Sequence, residues 1–225
     1  MRQNEDESGE RHRSALLTID VQRDALDGGR LAVPGTSAIL PRIEELTTAF
    51  RARGAPIVHV VRIYEPDGSN VEPCRRDLIR RGVRLFAPGS AGSQIAPQLL
   101  PEPAPSLDPR TLLRGELQEV GPAEWILYKP RWGAFFRTPL ETHLRGLDVS
   151  TLVFTGCNYP NCPRTSIYEA SERDFRIVAI ADAMSGFYER GRAELESIGV
   201  HVVDTAGYLG ESAAARGRRI NPRPS

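Results

Sequence analysis

Short apolar runs alternate along this chain with stretches that carry apolar residues at helical spacing, and that alternation leaves few folds open. Ala15 to Ile19 (ALLTI) reads as a strand buried on both faces. Thr36 to Arg53 then places Ile39, Leu40, Ile43, Leu46 and Phe50 on one helical face, with Thr36 or Ser37 to cap it and Gly54 to end it. Pro56 to Val61, Trp125 to Tyr128, Thr151 to Thr155, Ile177 to Ala181 and Val200 to Val203 are further strands. Pro139 to Leu144, Pro163 to Arg173 and Arg190 to Ile198 read as helices. Strands separated by helices close into right-handed βαβ units. The expectation is an α/β chain: a three-layer α/β/α sandwich around a six-stranded, mostly parallel, Rossmann-like sheet with helices on both faces. Sheets of this kind bind ligands beyond the carboxyl ends of their strands.

The 225 residues fit one domain. Residues 1–13 are nearly all polar or charged and read as a disordered tail. Residues 14–215 form the expected domain, and 216–225 a polar tail. Residues 64–123 break the rhythm with a stretch rich in Gly and Pro. So long a connection is expected to be a lid or an oligomer contact, with a plain surface insertion as the alternative. The 29 basic residues balance the 29 acidic ones, so no electrostatic case exists for nucleic acid or an anionic membrane as partner. No apolar run reaches the length of a membrane span, and Met1 to Arg13 lack the apolar stretch of a secretory signal. A cytoplasmic location follows as the expectation. The three cysteines, Cys74, Cys157 and Cys162, are expected to be free thiols.

Three strands end in polar residues that an open parallel sheet would bring to one edge: Asp20 after the first, Lys129 after the Trp125–Tyr128 strand, and Cys162 after TLVFTG. Pro163 suits the first turn of a helix, which puts Cys162 at a helix N-terminus, where the macrodipole favours a thiolate. Lys129 is the nearby cation, and Asp20 the base that takes the thiol proton and returns it to the leaving amine. Cys157 lies in the strand-to-helix loop and gains less from the dipole. Cys74 has Arg75 and Arg76 beside it but no strand end to place it, and Asp24 reads as structural.

These pieces, LLTIDVQRDALDGGRLAVPG, KPRWGAFFRTPLETHLR and TLVFTGCNYPNCPRTSIYEASERDFRIVAIADAMSG, resemble the isochorismatase-like cysteine hydrolases. That superfamily includes nicotinamidases, carbamoylsarcosine amidohydrolases and streptothricin hydrolase. The resemblance implies Asp20 as acid–base, Lys129 as the holder of thiolate and aspartate, and Cys162 as nucleophile. It further implies a cis Cys157–Asn158 peptide and an oxyanion hole from the N–H groups of Asn158 and Cys162. It implies self-association as a homodimer or homotetramer. The chain departs from the pattern in two places. HVVRIYEPDGSN has no partner for His59 where nicotinamidases place metal-binding histidines, so no metal and no cofactor are expected. Arg23-Asp24-Ala25 stands for the usual Asn-Asp-Phe, which removes an aromatic wall. Tyr159, Trp132 and Phe135, with Phe136, are the candidates for contact with a small-molecule substrate, and a core role is open for the ring residues of the Trp132–Phe136 stretch.

The implied reaction is C–N cleavage of a small amide, lactam or carbamoyl group through a Cys162 thioester. A vinyl ether hydrolase of the isochorismatase type, needing an acid but no nucleophile, is one alternative. A catalytically silent partner protein of the same fold is the other.

Overall fold

The computed structural model describes residues 13–217. Seven strands form one sheet: β1 Ser14–Ile19, β2 Ile57–Val61, β3 Gln118–Gly121, β4 Glu124–Tyr128, β5 Thr151–Gly156, β6 Arg176–Met184 and β7 His201–Val203. Their order across the sheet is β3-β4-β2-β1-β5-β6-β7. Each neighbouring pair from β4 to β7 is parallel, while β3 joins β4 antiparallel. The expected six strands are all present. The seventh, QEVG, is polar and half-exposed, so it lacks the apolar pattern that marks a strand. It forms because a tight reversal at Pro122–Ala123 folds it back on the outer edge of β4.

β1 is central because its residues are apolar on both sides. Ala15, Leu17 and Ile19 enter one core, and Leu16 enters the other. The first core is closed by α4 Leu140–Gly146, α5 Cys162–Ser171 and α6 Glu189–Glu196, through Leu140, Leu144, Ile167, Ala170 and Leu195. The second is closed by α1 Leu40–Arg51 and α7 Thr205–Gly217, through Ile43, Leu46, Phe50 and Tyr208. Helices therefore cover both faces of the sheet. Among the described residues no helix is long and apolar enough to cross a membrane.

Several local expectations shift. Neither Thr36 nor Ser37 caps α1, which starts at Leu40 without a side-chain cap. The Thr36 hydroxyl donates to Ser185 Oγ at 3.1 Å, and Ser37 Oγ accepts from Asp27 N–H at 2.9 Å. Both side chains are thus taken up by tertiary contacts. Arg13, read as tail, is tied to the domain: its guanidinium lies 2.6 Å from Asp148. Its carbonyl also accepts from Ser150 and Thr151. Residues 1–12 and 218–225 of the two expected tails lie outside the described residues, and α7 takes in 216–217. The 64–123 stretch carries α2 Pro73–Arg80, α3 Pro109–Leu113 and β3. Its Leu99, Leu107 and Leu112 enter the α1-side core.

The chain runs from β1 out to β2 and β4, then crosses back to β5 on the other side of β1. The carboxyl ends of β1 and β5 thus flank the point where the strand order reverses, which is where an open α/β sheet leaves a crevice.

Candidate active site

Four strand ends meet at that crevice. Asp20 follows β1 with a φ of 53°, a left-handed conformation that aspartate tolerates better than most residues but that still costs on the order of 1 kcal/mol. The turn directs its carboxylate inward, 7% exposed. Lys129 follows β4 and is fully buried, with Nζ 2.8 Å from Asp20 Oδ2. Asp20 Oδ1 is buried and has no hydrogen-bond partner among the described residues. Cys162 opens α5, packs into the core behind it, and is 4% exposed. The fourth strand end was not singled out from sequence. Arg62, directly after β2, is 1% exposed, and its Nη2 lies 3.9 Å from Cys162 Sγ.

Arg62 is held on several sides. Nη1 donates to Glu72 Oε2 at 3.1 Å. Gln22 clamps its backbone, with Nε2 donating to Arg62 O and Oε1 accepting from Arg62 N–H. Trp132 lies 5.4 Å from its guanidinium carbon and 5.1 Å from that of Arg75, within cation–π range of both. Glu72 also accepts from Tyr64 Oη at 2.6 Å and from Arg75 at 3.4 Å. The 64–123 stretch therefore contributes Tyr64, Glu72 and Arg75 to the site. A signal for Arg62 did exist: it occupies the carboxyl end of a parallel strand, the same criterion that selects Asp20 and Lys129.

The electrostatics correct one expectation. Burial pushes the Cys162 thiol up, and the Asp20 charge adds to that; Lys129 and Arg62 pull the other way without prevailing. The resting group is a thiol beside a carboxylate, so the helix dipole and Lys129 do not by themselves yield a standing thiolate. Burial disfavours charge on Arg62, but Asp20, Tyr64, Cys162 and Glu72 outweigh it and raise the guanidinium, which stays protonated. Cys157 is likewise pushed up, to about 11, chiefly by burial; what sets Cys162 apart is its place at the start of α5, with Arg62 Nη2 3.9 Å from its sulfur.

The loop from β5 to α5 is shaped by Gly156. Its φ is +117°, and a Cβ there would lie 2.2 Å from Ile19 O, so only glycine lets β5 end this close to β1. The expected cis Cys157–Asn158 peptide is not found: the cis bond among the described residues is Glu102–Pro103. The reversal is made at Gly156, with Cys157 N–H bonded to Ile19 O at 2.7 Å and Tyr159 N–H to Ser185 O at 2.8 Å. The N–H groups of Asn158 and Cys162 have no backbone acceptor among the described residues. Cys162 N–H is in the first turn of α5, where no intrahelical partner exists.

Two ring residues expected near substrate lie elsewhere. Tyr159 is fully buried, donates to Gly191 O at 3.0 Å and packs on Phe187. Phe135 packs on Phe175 in the same core. Both follow the ordinary preference of large rings for burial with a partner for any hydroxyl. Trp132 is half-buried and backs the two arginines. Phe136 is 40% exposed. The aromatic residue that does line the cavity is Phe86, from the 64–123 stretch. Its φ is 44°, and its N–H donates to Asp24 Oδ2 at 2.7 Å. Asp24 is thereby structural, as its position suggested.

Asp20, Arg62, Arg75, Phe86, Asn158 and Cys162 enclose about 20 Å³, room for about one water molecule. A larger cleft of about 680 Å³ is lined by Thr151, Arg176 and His201, which begin β5, β6 and β7. It lies at the amino ends of the strands and holds none of the four converging residues, so the small cavity is the site. His59 does not face the cavity; it is buried between Thr18 Oγ1 and Glu124 Oε1, each at 2.8 Å. Among the described residues no group of three His, Cys, Asp or Glu could hold a metal. The buried guanidinium of Arg62 after β2 would repel a divalent cation there.

Residues 14–206 match the family model for the isochorismatase domain. The chain belongs to the isochorismatase family. A probable inactive nicotinamidase of Arabidopsis thaliana is 28% identical over 76% of this chain and 79% of its own length. A ureidoacrylate amidohydrolase of Methylorubrum extorquens is 26% identical over 92% of this chain and 86% of its own. Among solved structures, an isochorismatase family protein of Desulfovibrio vulgaris superposes with a TM-score of 0.76 at 29% identity, covering 90% of this chain and 99% of that one. N-carbamoylsarcosine amidase of Thermoplasma acidophilum shares the fold, with a TM-score of 0.66 at 22% identity over 86% of this chain and 96% of that one.

Proposed function

We propose that this isochorismatase-family chain is a cysteine hydrolase that cleaves the C–N bond of a small amide, lactam or carbamoyl substrate through a Cys162 thioester. One observation carries the reading. Asp20 keeps one oxygen on Lys129 and leaves the other, buried and unpartnered, beside a thiol at a helix N-terminus. A carboxylate so placed takes the thiol proton as Sγ attacks the carbonyl carbon. The oxyanion then faces the N–H groups of Asn158 and Cys162, where each donor is worth roughly 10²–10³ in rate. Asp20 returns the proton to the leaving nitrogen, and the C–N bond breaks to leave an acyl or carbamoyl thioester. Asp20 next takes a proton from water, whose oxygen attacks the thioester carbon. Sγ leaves, recovers the proton, and the acid product departs.

Entry of such a substrate requires Phe86 and Arg75, which line the cavity, to move aside. In this reading the 64–86 part of the long stretch is the cover over the site. Ureido compounds head the substrate panel because a ureidoacrylate amidohydrolase is among the relatives. Three free thiols suit a reducing, cytoplasmic setting, and the chain acts as a homodimer or homotetramer on a small molecule. The relative described as probably inactive raises the silent-fold reading. The intact Asp20–Lys129 pair beside Cys162 speaks against it here.

Release of ammonia or amine from a panel of ureides and amides, and of the ring-opened amino acid from lactams, tests the proposal, with the Cys162→Ala protein as control. Release that depends on Cys162 is the expected result. Equal release by the Cys162→Ala protein removes the cysteine mechanism and returns the vinyl ether chemistry to first place.

A further inference from the structure

Charge in the cavity does not close on the protein alone. Lys129 pairs with Asp20, and Arg62 with Glu72. Arg75 adds a second guanidinium to the same Glu72 carboxylate, at 3.4 Å. Tyr64 is held neutral, raised well above its ordinary value by burial. With Cys162 as a thiol, these groups sum to one positive charge. The chemistry proposed above never removes it. When the thiol proton passes to Asp20 the sum is unchanged, and the oxyanion then replaces the thiolate. Asp24 lies outside the cavity lining, with its carboxylate held by Phe86 N–H, so the sum is taken over the lining groups and their direct partners.

The surplus sits where a ligand can reach it. Arg75 lines the cavity with its side chain 21% exposed. Its described hydrogen bonds leave from Nη1 alone, to Tyr64 Oη at 3.0 Å and to Glu72. Arg62 also lines the cavity, is 1% exposed, and keeps a buried Nε–H with no partner among the described residues. A buried donor that the protein itself leaves unmatched is a donor available to a substrate. Arginine presents paired N–H groups that match the two oxygens of a carboxylate.

Resting on the cysteine-hydrolase reading, we infer that the substrate carries a carboxylate, which docks against Arg75 and the free Nε–H of Arg62 while its amide or carbamoyl carbon meets Cys162. The substrate class is thus a small N-acyl or N-carbamoyl acid rather than a neutral amide. Leu31 and Val33, on the apolar side of the cavity, contact the carbon skeleton between the two groups.

Alkylation of Cys162 by iodoacetate and by iodoacetamide, followed by peptide mass mapping, tests this without knowing the substrate. The two reagents share size and leaving group and differ in the carboxylate. The readout is the ratio of the iodoacetate rate to the iodoacetamide rate at Cys162, divided by the same ratio for glutathione. Hydrogen bonds to a charged group predict a normalised ratio roughly tenfold to a hundredfold above one. The ratio falls towards one in Arg75→Met and is kept in large part by Arg75→Lys. A normalised ratio near one in the wild-type protein, with Cys162 readily carbamidomethylated, overturns the anion subsite and leaves the nucleophile standing. Loss of both rates in proportion in Arg75→Met, with the ratio unchanged, also overturns it, since that is a structural effect. A Cys162 inert to both reagents fails the hydrolase reading itself.

Discussion

Replacing Arg62 by Met asks whether a second cation helps to create the nucleophile. The guanidinium lies 3.9 Å from Sγ and is almost wholly buried. At an effective dielectric of about 20, unit charges at that separation attract by about 4 kcal/mol, equivalent to about 3 pKa units. Delocalisation over the guanidinium reduces this to about 2 units. The thiol of the wild-type protein is already raised by burial and by Asp20, so Arg62→Met raises it further. The thiolate fraction near neutral pH falls about a hundredfold, its intrinsic nucleophilicity rises about tenfold, and alkylation slows by about tenfold. Arg62→Met leaves Glu72 with Arg75, at 3.4 Å, and the Tyr64 hydroxyl as partners, so the stability loss is smaller than the loss of about 3–5 kcal/mol that a fully unpaired buried charge brings. The double replacement Arg62→Met, Glu72→Gln removes the buried pair together and is the control protein. The assay is the rate of Cys162 alkylation at each pH from 6 to 11 in the wild type and both variants. Rates that match the wild type throughout in both variants, each shown to be folded, refute Arg62 as a partner of the thiolate.

Lys129→Met leaves the Asp20 carboxylate buried and unpaired, and is expected to lower stability to urea by about 3–5 kcal/mol. Asp20→Asn combined with Lys129→Met restores most of that loss, whereas equal losses in the single and double proteins would count against the 2.8 Å pair. Glu124 supplies an acid-linked term far from the cavity. Burial alone would raise it, but hydrogen bonds and charge from Arg51 and His59 outweigh burial and hold it at about 2, below its ordinary 4.5. A carboxylate lowered on folding contributes stability that is complete above about pH 4.5 and fades as pH falls towards 2. Urea midpoints recorded over that interval should fall less steeply in Glu124→Gln than in the wild type. Parallel slopes would contradict the pairing.

Much of this arrangement was readable from residues. The alternation of ALLTI, IVHVV and TLVFTG with helical segments fixes the layers, because strands buried on both faces must be apolar throughout. Asp20, Lys129 and Cys162 stand out as polar residues at the ends of such strands. Arg62 meets the same criterion, yet an arginine before a turn-rich stretch looks like surface. Its burial depends on Glu72, ten residues on, and on Gln22 from another strand end, which no local pattern connects. Tyr159 and Phe135 misled for the opposite reason. Their nearness in sequence to the nucleophile and the lysine says nothing of direction, and tertiary partners at Gly191 and Phe175 draw both into the core. The raised Cys162 thiol was likewise hidden, since a helix start is visible in sequence and desolvation is not.

The most direct test is the mass of the enzyme itself during turnover. Acid quenching of the protein with a ureido or amide substrate that it hydrolyses, followed by mapping of the Cys162 peptide, should reveal an acyl or carbamoyl adduct that hydroxylamine removes. Continued hydrolysis by a protein whose Cys162 stays unmodified, or has been replaced by Ala, would contradict the thioester.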